Sequence, residues 1–142
     1  MNSRNLSSLG ILLLVFIAAC QNGNEKHDAV PVSLDHIIPQ PVSVTGSGTA
    51  FELTDATSII VSGGAEALKA GQYLANQFKP ATGFALTVTE GTDTSKAGQI
   101  YLTMKEGNNQ LGNEGYEMNI TDAKVKITAN KPAGLFYAIQ TM

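Results

Sequence analysis

The last quarter of the sequence, residues 115–142, places the strongest constraint on the fold. Apolar and polar residues alternate with a period of two in Gly115–Thr121 and again in Lys124–Ala129, and Asp122-Ala123 separates the two runs. Two such runs joined by turn-prone residues predict a β-hairpin with one buried side and one solvent-facing side. The predicted buried side consists of Tyr116, Met118, Ile120, Val125, Ile127 and Ala129. The predicted solvent-facing side consists of Glu117, Asn119, Lys124 and Lys126.

A helix is predicted directly after the hairpin, with Asn130 as its cap and Pro132 in its first turn. Its apolar residues at helical spacing are Leu135, Ala138, Ile139 and Met142. The sequence stops inside this helix, without the Gly, Asn or basic last turn that usually satisfies the free carbonyls. Either the helix frays at a natural terminus or the polypeptide continues beyond Met142, and we expect the second.

The first twenty residues have the layout of a signal peptide. Arg4 forms a short basic region, and the apolar run Leu9–Ala19 is too short for a membrane-spanning helix, which needs about 20 residues. Ile17–Cys20 resembles a bacterial lipobox. That resemblance implies a lipoprotein signal peptide over residues 1–19, cleavage before Cys20, a diacylglyceryl thioether on Cys20 and acylation of the new amino terminus. The alternative is an ordinary signal peptide in which Cys20 is incidental.

Lipidation of Cys20 would set the location of the protein. Cys20 is the only cysteine, so no internal disulfide can form even in an oxidising compartment. Several acyl chains, each contributing about 0.8 kcal/mol per buried CH₂, anchor a protein stably. We therefore expect an exported protein that is lipid-anchored to a bacterial membrane, on the periplasmic or surface face of the outer membrane. Residues 20–36 are polar and predict a flexible tether.

Charge and length restrict the class of protein further. The formal net charge is −3 and would become −4 once residues 1–19, with Arg4 as their only charge, are removed. A mildly acidic chain with scattered charges argues against a nucleic-acid partner, which requires a concentrated basic face. Residues 37–142 suffice for one small domain.

The remaining elements predict a sheet covered by helices. Predicted strands are Val42–Val44, Ala50–Leu53, Ile59–Val61, Phe84–Val88 and Gln99–Thr103. An amphipathic helix follows Gly63-Gly64 and should end at Pro80. Its apolar stripe consists of Ala67, Gly71, Leu74 and Phe78. The predicted fold class is α+β: a two-layer sandwich in which two helices pack on a mixed, mainly antiparallel β-sheet.

Three segments together resemble the N-terminal, non-catalytic domain of β-N-acetylhexosaminidases of glycoside hydrolase family 20. They are the opening Ile37–Pro41, the hairpin start Gly115–Met118 and the closing helix Gly134–Met142. The family's closing helix has a Gly-Leu-Phe-Tyr-Gly-(apolar)-Gln-Thr-Leu pattern, and here Ala138 and Met142 replace its second Gly and its Leu. The resemblance covers the whole of residues 37–142.

The resemblance implies that the chemistry lies elsewhere. In the family this helix leads into a (β/α)₈ barrel, and an Asp-Glu pair there assists attack by the substrate's own acetamido oxygen on a terminal N-acetylhexosamine. We therefore expect a catalytic barrel C-terminal to Met142, a glycan substrate bound only through that barrel, and no activity from residues 1–142 alone.

No catalytic, cofactor-binding or metal-binding residue is predicted within the 142 residues. Glu114, Glu117 and Asp122 fall at strand and turn positions that indicate solvated structural roles. His27 lies in the tether, and His36 precedes the first strand without a nucleophile or an acid cluster nearby.

Two alternatives to a family 20 accessory domain remain open. Similar small domains precede the barrels of α-glucuronidases and family 84 N-acetylglucosaminidases, although the Gln140-Thr141 ending favours family 20. The chain could also be a free-standing surface lipoprotein that binds glycans or a partner protein. For a glycan platform the alternation offers a single outward-facing tyrosine, Tyr101.

Overall fold

A single mixed sheet forms one layer of the structure, a computed structural model that describes residues 37–38 and 40–142. Its strands are β1 (Ser58–Ser62), β2 (Thr87–Glu90), β3 (Gln99–Met104), β4 (Tyr116–Ile120) and β5 (Lys124–Ala129). Two helices, α1 (Ala65–Thr82) and α2 (Pro132–Thr141), pack on the sheet and on each other. The strand order is β2-β1-β3-β5-β4, and every neighbouring pair is parallel except β4 with β5. The predicted α+β sandwich with a mixed sheet is thus confirmed. The sheet is mainly parallel and not mainly antiparallel as expected, since only the local hairpin pair is antiparallel.

The core lies between the sheet and the helices. Register places Ile59, Ile100 and Val125 side by side on adjacent strands, and the next helix-facing row continues with Val61 and Leu102. All five side chains are buried. The helices cover these rows with Ala67, Leu74, Leu135, Ala138 and Ile139.

Helix α1 lies very close to the sheet because of Gly71. A Cβ atom added at Gly71 would lie 2.6 Å from Cγ1 of Val61 and 2.9 Å from Cγ1 of Val88. The predicted stripe is confirmed, but the predicted end at Pro80 is wrong, because α1 continues to Thr82. Proline in the last turn removes only one helical N–H donor, and the left-handed Gly83 then closes the helix.

The predicted hairpin is confirmed as β4 and β5, which pair from Tyr116↔Ala129 to Ile120↔Val125. Val125, Ile127 and Ala129 are buried as predicted, whereas Ile120 at the sheet edge is partly exposed. Lys124 was expected to face water, but it is half-buried, and its ammonium donates to the backbone carbonyl of Thr94 at 2.7 Å. A backbone carbonyl can replace water as the acceptor, so a lysine stem fits under a loop.

The loop that holds Lys124 is the β2–β3 loop, residues 91–98, which crosses the sheet face opposite the helices. It covers Tyr101, which points to that face as the alternation predicts but is only 2% exposed. The Tyr101 hydroxyl lies 2.9 Å from the Lys96 carbonyl oxygen and 2.7 Å from Gln99 Oε1, and its single proton is donated to one of these two acceptors at a time. Tyr101 is therefore a structural residue, and the idea that it serves as a sugar platform is wrong.

The amino-terminal part of the described chain is irregular. The strands predicted at Val42–Val44 and Ala50–Leu53 are absent there, since neither segment pairs with the sheet. Val42 and Val44 are exposed, while Phe51 and Leu53 pack against the core without ladder hydrogen bonds. Alternation of apolar and polar residues favours an extended backbone, but a strand also requires a neighbouring segment with which to pair. The strand predicted at Phe84–Val88 is displaced to β2, because Ser58↔Thr87 begins its pairing with β1.

Asn130 fastens a loop instead of capping α2. The N-cap of α2 is Lys131, without a side-chain cap bond, so the predicted cap is wrong. Asn130 is buried, its Oδ1 accepts from the backbone N–H of Asn108 at 3.2 Å, and its Nδ2 donates to the carbonyls of Asn108 at 2.6 Å and Gly112 at 2.9 Å. Asn130 therefore anchors the β3–β4 loop, residues 105–115, to the start of α2.

Candidate functional site

Of the titratable residues considered from the sequence, the structure describes Glu114, Glu117 and Asp122, while His27 and His36 lie outside the described residues. The predicted lipidation site Cys20, the signal peptide and the tether lie outside the described residues. Glu114, Glu117 and Asp122 are all exposed, and Glu117 accepts a hydrogen bond from the Asn108 side chain at 3.3 Å. In the described part of the chain, no three His, Cys, Asp or Glu side chains come together in a way that could hold a metal ion. Among the same residues, no helix has both the length and the apolar character needed to cross a membrane.

In the closing motif on α2, Gly134–Met142, the structural role of almost every residue can be stated individually. Leu135, Ala138 and Ile139 are buried in the core. A Cβ at Gly134 would collide with the backbone oxygen of Gly115 and would lie 2.8 Å from Cβ of Ala129. Glycine therefore allows α2 to approach β5 and the loop residue that precedes β4.

The polar end of the motif holds the last turn of α2 on two sides. Gln140 Nε2 donates to the Tyr73 hydroxyl of α1 at 3.2 Å. Thr141 Oγ1 lies 2.5 Å from the Tyr116 hydroxyl of β4 and donates to the Tyr137 carbonyl at 3.0 Å. Because the threonine proton is used for that carbonyl, the Tyr116 hydroxyl is the donor to Thr141. The Gln-Thr pair thus joins α2 to a helix and to a strand.

Two residues of the motif have no comparable internal role. Phe136 is 45% exposed and Tyr137 is 43% exposed. Their ring centroids are 5.9 Å apart with an interplanar angle of 66°, and the Tyr73 ring lies 5.6 Å from Phe136. We call these three residues the aromatic patch. A large exposed aromatic cluster on a small domain is typical of an interaction surface.

A groove between the helices adjoins the aromatic patch. Its volume is about 210 Å³. Its lining residues are Glu66, Lys69, Ala70, Tyr73, Pro132, Phe136 and Ile139. Apolar side chains dominate this lining, and the two charged residues are paired with each other, with Lys69 Nζ 2.8 Å from Glu66 Oε1.

The perturbed titratable groups lie away from this groove. The hydrogen bond from Lys131, together with its positive charge, lowers the pKa of the exposed Glu106 carboxyl. Hydrogen bonds from Ser95 lower the pKa of the exposed Asp93 carboxyl in the β2–β3 loop. Burial raises the pKa of the Tyr101 phenol. Each shift follows from a local structural contact, so these groups do not form an acid–base pair.

The sequence indicated only part of this surface. The helical spacing places Leu135 and Ile139 on the apolar face of α2, which is predicted to pack on the sheet. Leu135 and Ile139 are buried as predicted, whereas Phe136 beside them is exposed. Tyr73 was not identified, although its position beside Leu74 on the predicted stripe was a signal that it borders the buried face of α1.

Comparisons with known proteins agree on the identity of this fold. The family model of glycosyl hydrolase family 20, domain 2, matches residues 35–142. A beta-hexosaminidase of Porphyromonas gingivalis is 32% identical over 108 residues, which make up 75% of this chain and 13% of that protein.

Solved structures give the same result. The GH20 beta-N-acetylhexosaminidase of Streptomyces coelicolor is 41% identical, with a TM-score of 0.69, over 80% of this chain and 22% of that one. A mutant Streptomyces plicatus beta-hexosaminidase in complex with its product GlcNAc is also 41% identical, with a TM-score of 0.69, over 80% of this chain and 21% of that one. The chain thus spans about a fifth of these structures and less of the curated relative. Through its domain 2, this chain belongs to glycosyl hydrolase family 20.

Proposed function

We propose that this chain is the accessory, non-catalytic domain of an exported, membrane-anchored β-N-acetylhexosaminidase. In this proposal the parent enzyme removes terminal N-acetylhexosamine from glycans, and its chemistry lies in a separate (β/α)₈ barrel. The domain packs beside that barrel through the aromatic patch and, by way of the tether, spaces it from the membrane. The α-glucuronidase and family 84 alternatives lose support, because the family model matched is that of family 20.

The observation that carries the docking role is the exposure of Phe136 and Tyr137. Every other residue of the closing motif from Gly134 to Thr141 is buried or makes a specific contact within the domain. Burial of one large apolar side chain contributes about 1.5–3 kcal/mol, so two adjacent exposed rings offer substantial free energy to a partner. Aromatic residues are also enriched at the centres of protein interfaces.

The first test is to read the coding DNA beyond codon 142. A continuing frame that encodes a barrel-length region with an Asp-Glu pair supports the proposal. A genuine stop codon with no barrel downstream contradicts it.

The second test concerns activity. The chain of 142 residues and the parent polypeptide are compared on a chromogenic N-acetylglucosaminide, and only the parent should hydrolyse it. In the parent, Phe136→Ser combined with Tyr137→Ser should lower the temperature at which activity is lost. The matched control is Val42→Ser combined with Val44→Ser, which also changes two exposed apolar residues but lies outside the aromatic patch. Equal effects of the two pairs would contradict docking through the patch.

The membrane anchor is tested separately. Cys20→Ser should move the protein from the membrane fraction to the soluble periplasmic or secreted fraction, and it should remove the palmitate label from the polypeptide. An unchanged membrane fraction would contradict anchoring through Cys20.

A second candidate function is glycan binding by the domain alone, which the two exposed rings of the aromatic patch favour, since sugars often stack on aromatic faces. The chain contains four tyrosines and no tryptophan, so tyrosine fluorescence can report binding at Tyr137. Saturable quenching by N-acetylglucosamine oligomers that Tyr137→Ser abolishes would support this function. A titration in which the tyrosine fluorescence does not change would contradict glycan binding by the domain.

A further inference from the structure

We infer that a groove beneath the β2–β3 loop binds one neutral sugar ring, at a site separate from the helices and from the aromatic patch. The volume of this groove is about 260 Å³. Its lining residues are Ile60, Glu90, Gly91, Thr92, Asp93, Lys96 and Gln99, and we call it the loop groove. This site is additional to the proposed function and independent of it.

The loop groove lies on the face of the sheet opposite the helices. Ile60 alternates along β1 with the buried, helix-facing Ile59 and Val61. Ile60 also pairs in register with Tyr101, which the β2–β3 loop covers on that opposite face. A domain docked on the aromatic patch would therefore leave the loop groove open, and a ligand there would be held by this domain alone.

The β2–β3 loop is fastened to the sheet, so the groove is formed before a ligand arrives. At the start of the loop, the backbone N–H of Gly91 donates to the Val61 carbonyl at 2.9 Å. Further along, Lys124 Nζ donates to the backbone carbonyls of Thr94 at 2.7 Å and Ser95 at 3.1 Å. A site that is already ordered loses less conformational entropy when a ligand binds.

The floor of the loop groove is apolar and is kept open by a glycine. A Cβ atom added at Gly91 would lie 3.1 Å from Cγ2 of Ile60, so a larger residue at position 91 would occupy the space above that side chain. Ile60 is half-buried, and its exposed part offers a surface for the C–H groups of a sugar ring. A volume of about 260 Å³ is slightly below the roughly 300–1,000 Å³ of most ligand pockets, which suits one sugar ring better than an oligosaccharide.

The polar lining offers both donors and acceptors to a ligand. Gln99 Oε1 lies 2.7 Å from the Tyr101 hydroxyl, whereas the Nε2 donors of Gln99 have no acceptor among the described residues. The Glu90 carboxylate and the Lys96 ammonium form no hydrogen bond or ion pair with any residue that the structure describes. Asp93 Oδ1 accepts a backbone N–H of the loop at 2.8 Å, which orients that carboxylate.

This mixture of groups favours a neutral ligand that is rich in hydroxyl groups. Two carboxylates beside one ammonium would repel an anion. A metal ion would meet the Lys96 ammonium, and no three His, Cys, Asp or Glu side chains come together within the described ranges. A sugar hydroxyl both donates and accepts, so it can use the carboxylates of Glu90 and Asp93 as well as the N–H donors of Gln99.

Nuclear magnetic resonance of the isotope-labelled 142-residue chain tests the site. The chain is titrated with N-acetylglucosamine and, separately, with glucose, while the backbone amide shifts are followed. We expect saturable shifts in the amides of residues 90–99 and of Ile60. No saturable shift with either sugar would overturn the inference. Saturable shifts centred on Tyr137 in their place would put the sugar on the aromatic patch and would also overturn it.

Two substitutions test the chemistry of the loop groove. Gly91→Ala places a methyl group above Ile60 and should weaken binding of whichever of the two sugars binds by at least about tenfold, equivalent to about 1.4 kcal/mol. Lys96→Met removes a donor from an exposed side chain and should weaken binding at least about threefold. The matched control is Lys126→Met, which removes the same charge from the same sheet face outside the groove and should leave the affinity unchanged. Original affinity in Gly91→Ala, or equal affinities in the two lysine variants, would overturn the inference.

Further measurements separate a sugar site from other ligands and from the proposed function. Shifts at residues 90–99 with calcium chloride, sodium phosphate or free lysine, and none with sugar, would identify a charged ligand and overturn the inference. Hexosaminidase activity is measured separately in the parent polypeptide. Activity without sugar binding in the loop groove would leave the proposed function standing and overturn the groove assignment. Sugar binding in the loop groove without activity would support the groove assignment and contradict the proposed function.

Discussion

The contact between α2 and the hairpin can be tested with one methyl group. In Gly134→Ala, the new Cβ would collide with the backbone oxygen of Gly115 and lie 2.8 Å from Cβ of Ala129. Neither neighbour can rotate away, since one is backbone and the other is a methyl group fixed to a strand. Overpacking of this kind costs about 1–3 kcal/mol.

A second effect of Gly134→Ala acts in the opposite direction. Alanine favours the helix by at most about 1 kcal/mol relative to glycine, and by less in a first turn. The net expectation is therefore a loss of about 1–2 kcal/mol of unfolding free energy, which lowers the Tm of a domain of this size by roughly 5–15 °C.

The assay is urea unfolding followed by far-ultraviolet circular dichroism, with Ala133→Gly as the matched control. Ala133 is exposed on the same turn, so that variant changes helix propensity without changing packing. If packing dominates, both variants are less stable than the original chain, and Gly134→Ala has the larger loss. A Gly134→Ala variant as stable as the original chain, or more stable, would refute the close-approach argument.

Three further predictions concern contacts around α2. Asn130→Ala should cost about 1–3 kcal/mol of unfolding free energy, because it leaves buried groups of the β3–β4 loop without hydrogen-bond partners. Amide hydrogen exchange should also increase in that loop, and unchanged exchange there would contradict the anchoring role of Asn130. The pKa of Glu106 is lowered in the folded state by Lys131, so this pair contributes stability above the unfolded carboxyl pKa and loses it as the pH falls through the lowered folded pKa. Glu106→Gln should remove that part of the pH dependence of urea unfolding, and an identical pH profile would argue against the ion pair. Tyr116→Phe should lower the unfolding free energy by about 0.5–1.5 kcal/mol and speed amide hydrogen exchange in the last turn of α2, because Thr141 loses its hydrogen-bond donor. Exchange at the original rate would show that this contact does not hold the end of the helix.

Periodicity predicted the elements whose sequence pattern is strong. The hairpin of β4 and β5, α1 with its buried stripe, and α2 all occur where the alternation or the helical spacing placed them. These patterns are direct consequences of which face of each element is buried, and a single sequence carries that information. The closing motif also predicted the family.

The pairing of strands that are distant in the sequence could not be predicted from these patterns. The parallel pairing of β1 with β3 and of β3 with β5 depends on which segments meet in space, and alternation within a strand does not record its neighbour. For the same reason Val42–Val44 has a strand-like pattern and yet no strand partner.

Polar side chains were the other source of error. Asn130 has the type and position of a helix cap, but its amide offers both a donor and an acceptor, and the β3–β4 loop uses both. Lys124 and Tyr101 point to the solvent-side face as predicted, and the crossing of the β2–β3 loop then buries Tyr101 and partly covers Lys124. The aromatic patch was only partly predictable, because Tyr73 and Phe136 meet through the packing of α1 against α2.

The position of β5 has a consequence for the order of folding. It is the last strand in the sequence, yet it lies between β3 and β4 inside the sheet. The β4–β5 hairpin is local and can form within microseconds, whereas its docking on β3 must wait until a long chain segment has been ordered. During synthesis the edge of β3 therefore stays unpaired until residues 124–129 have left the ribosome. We expect the chain to remain unfolded, and available to chaperones, until almost the whole domain has been made.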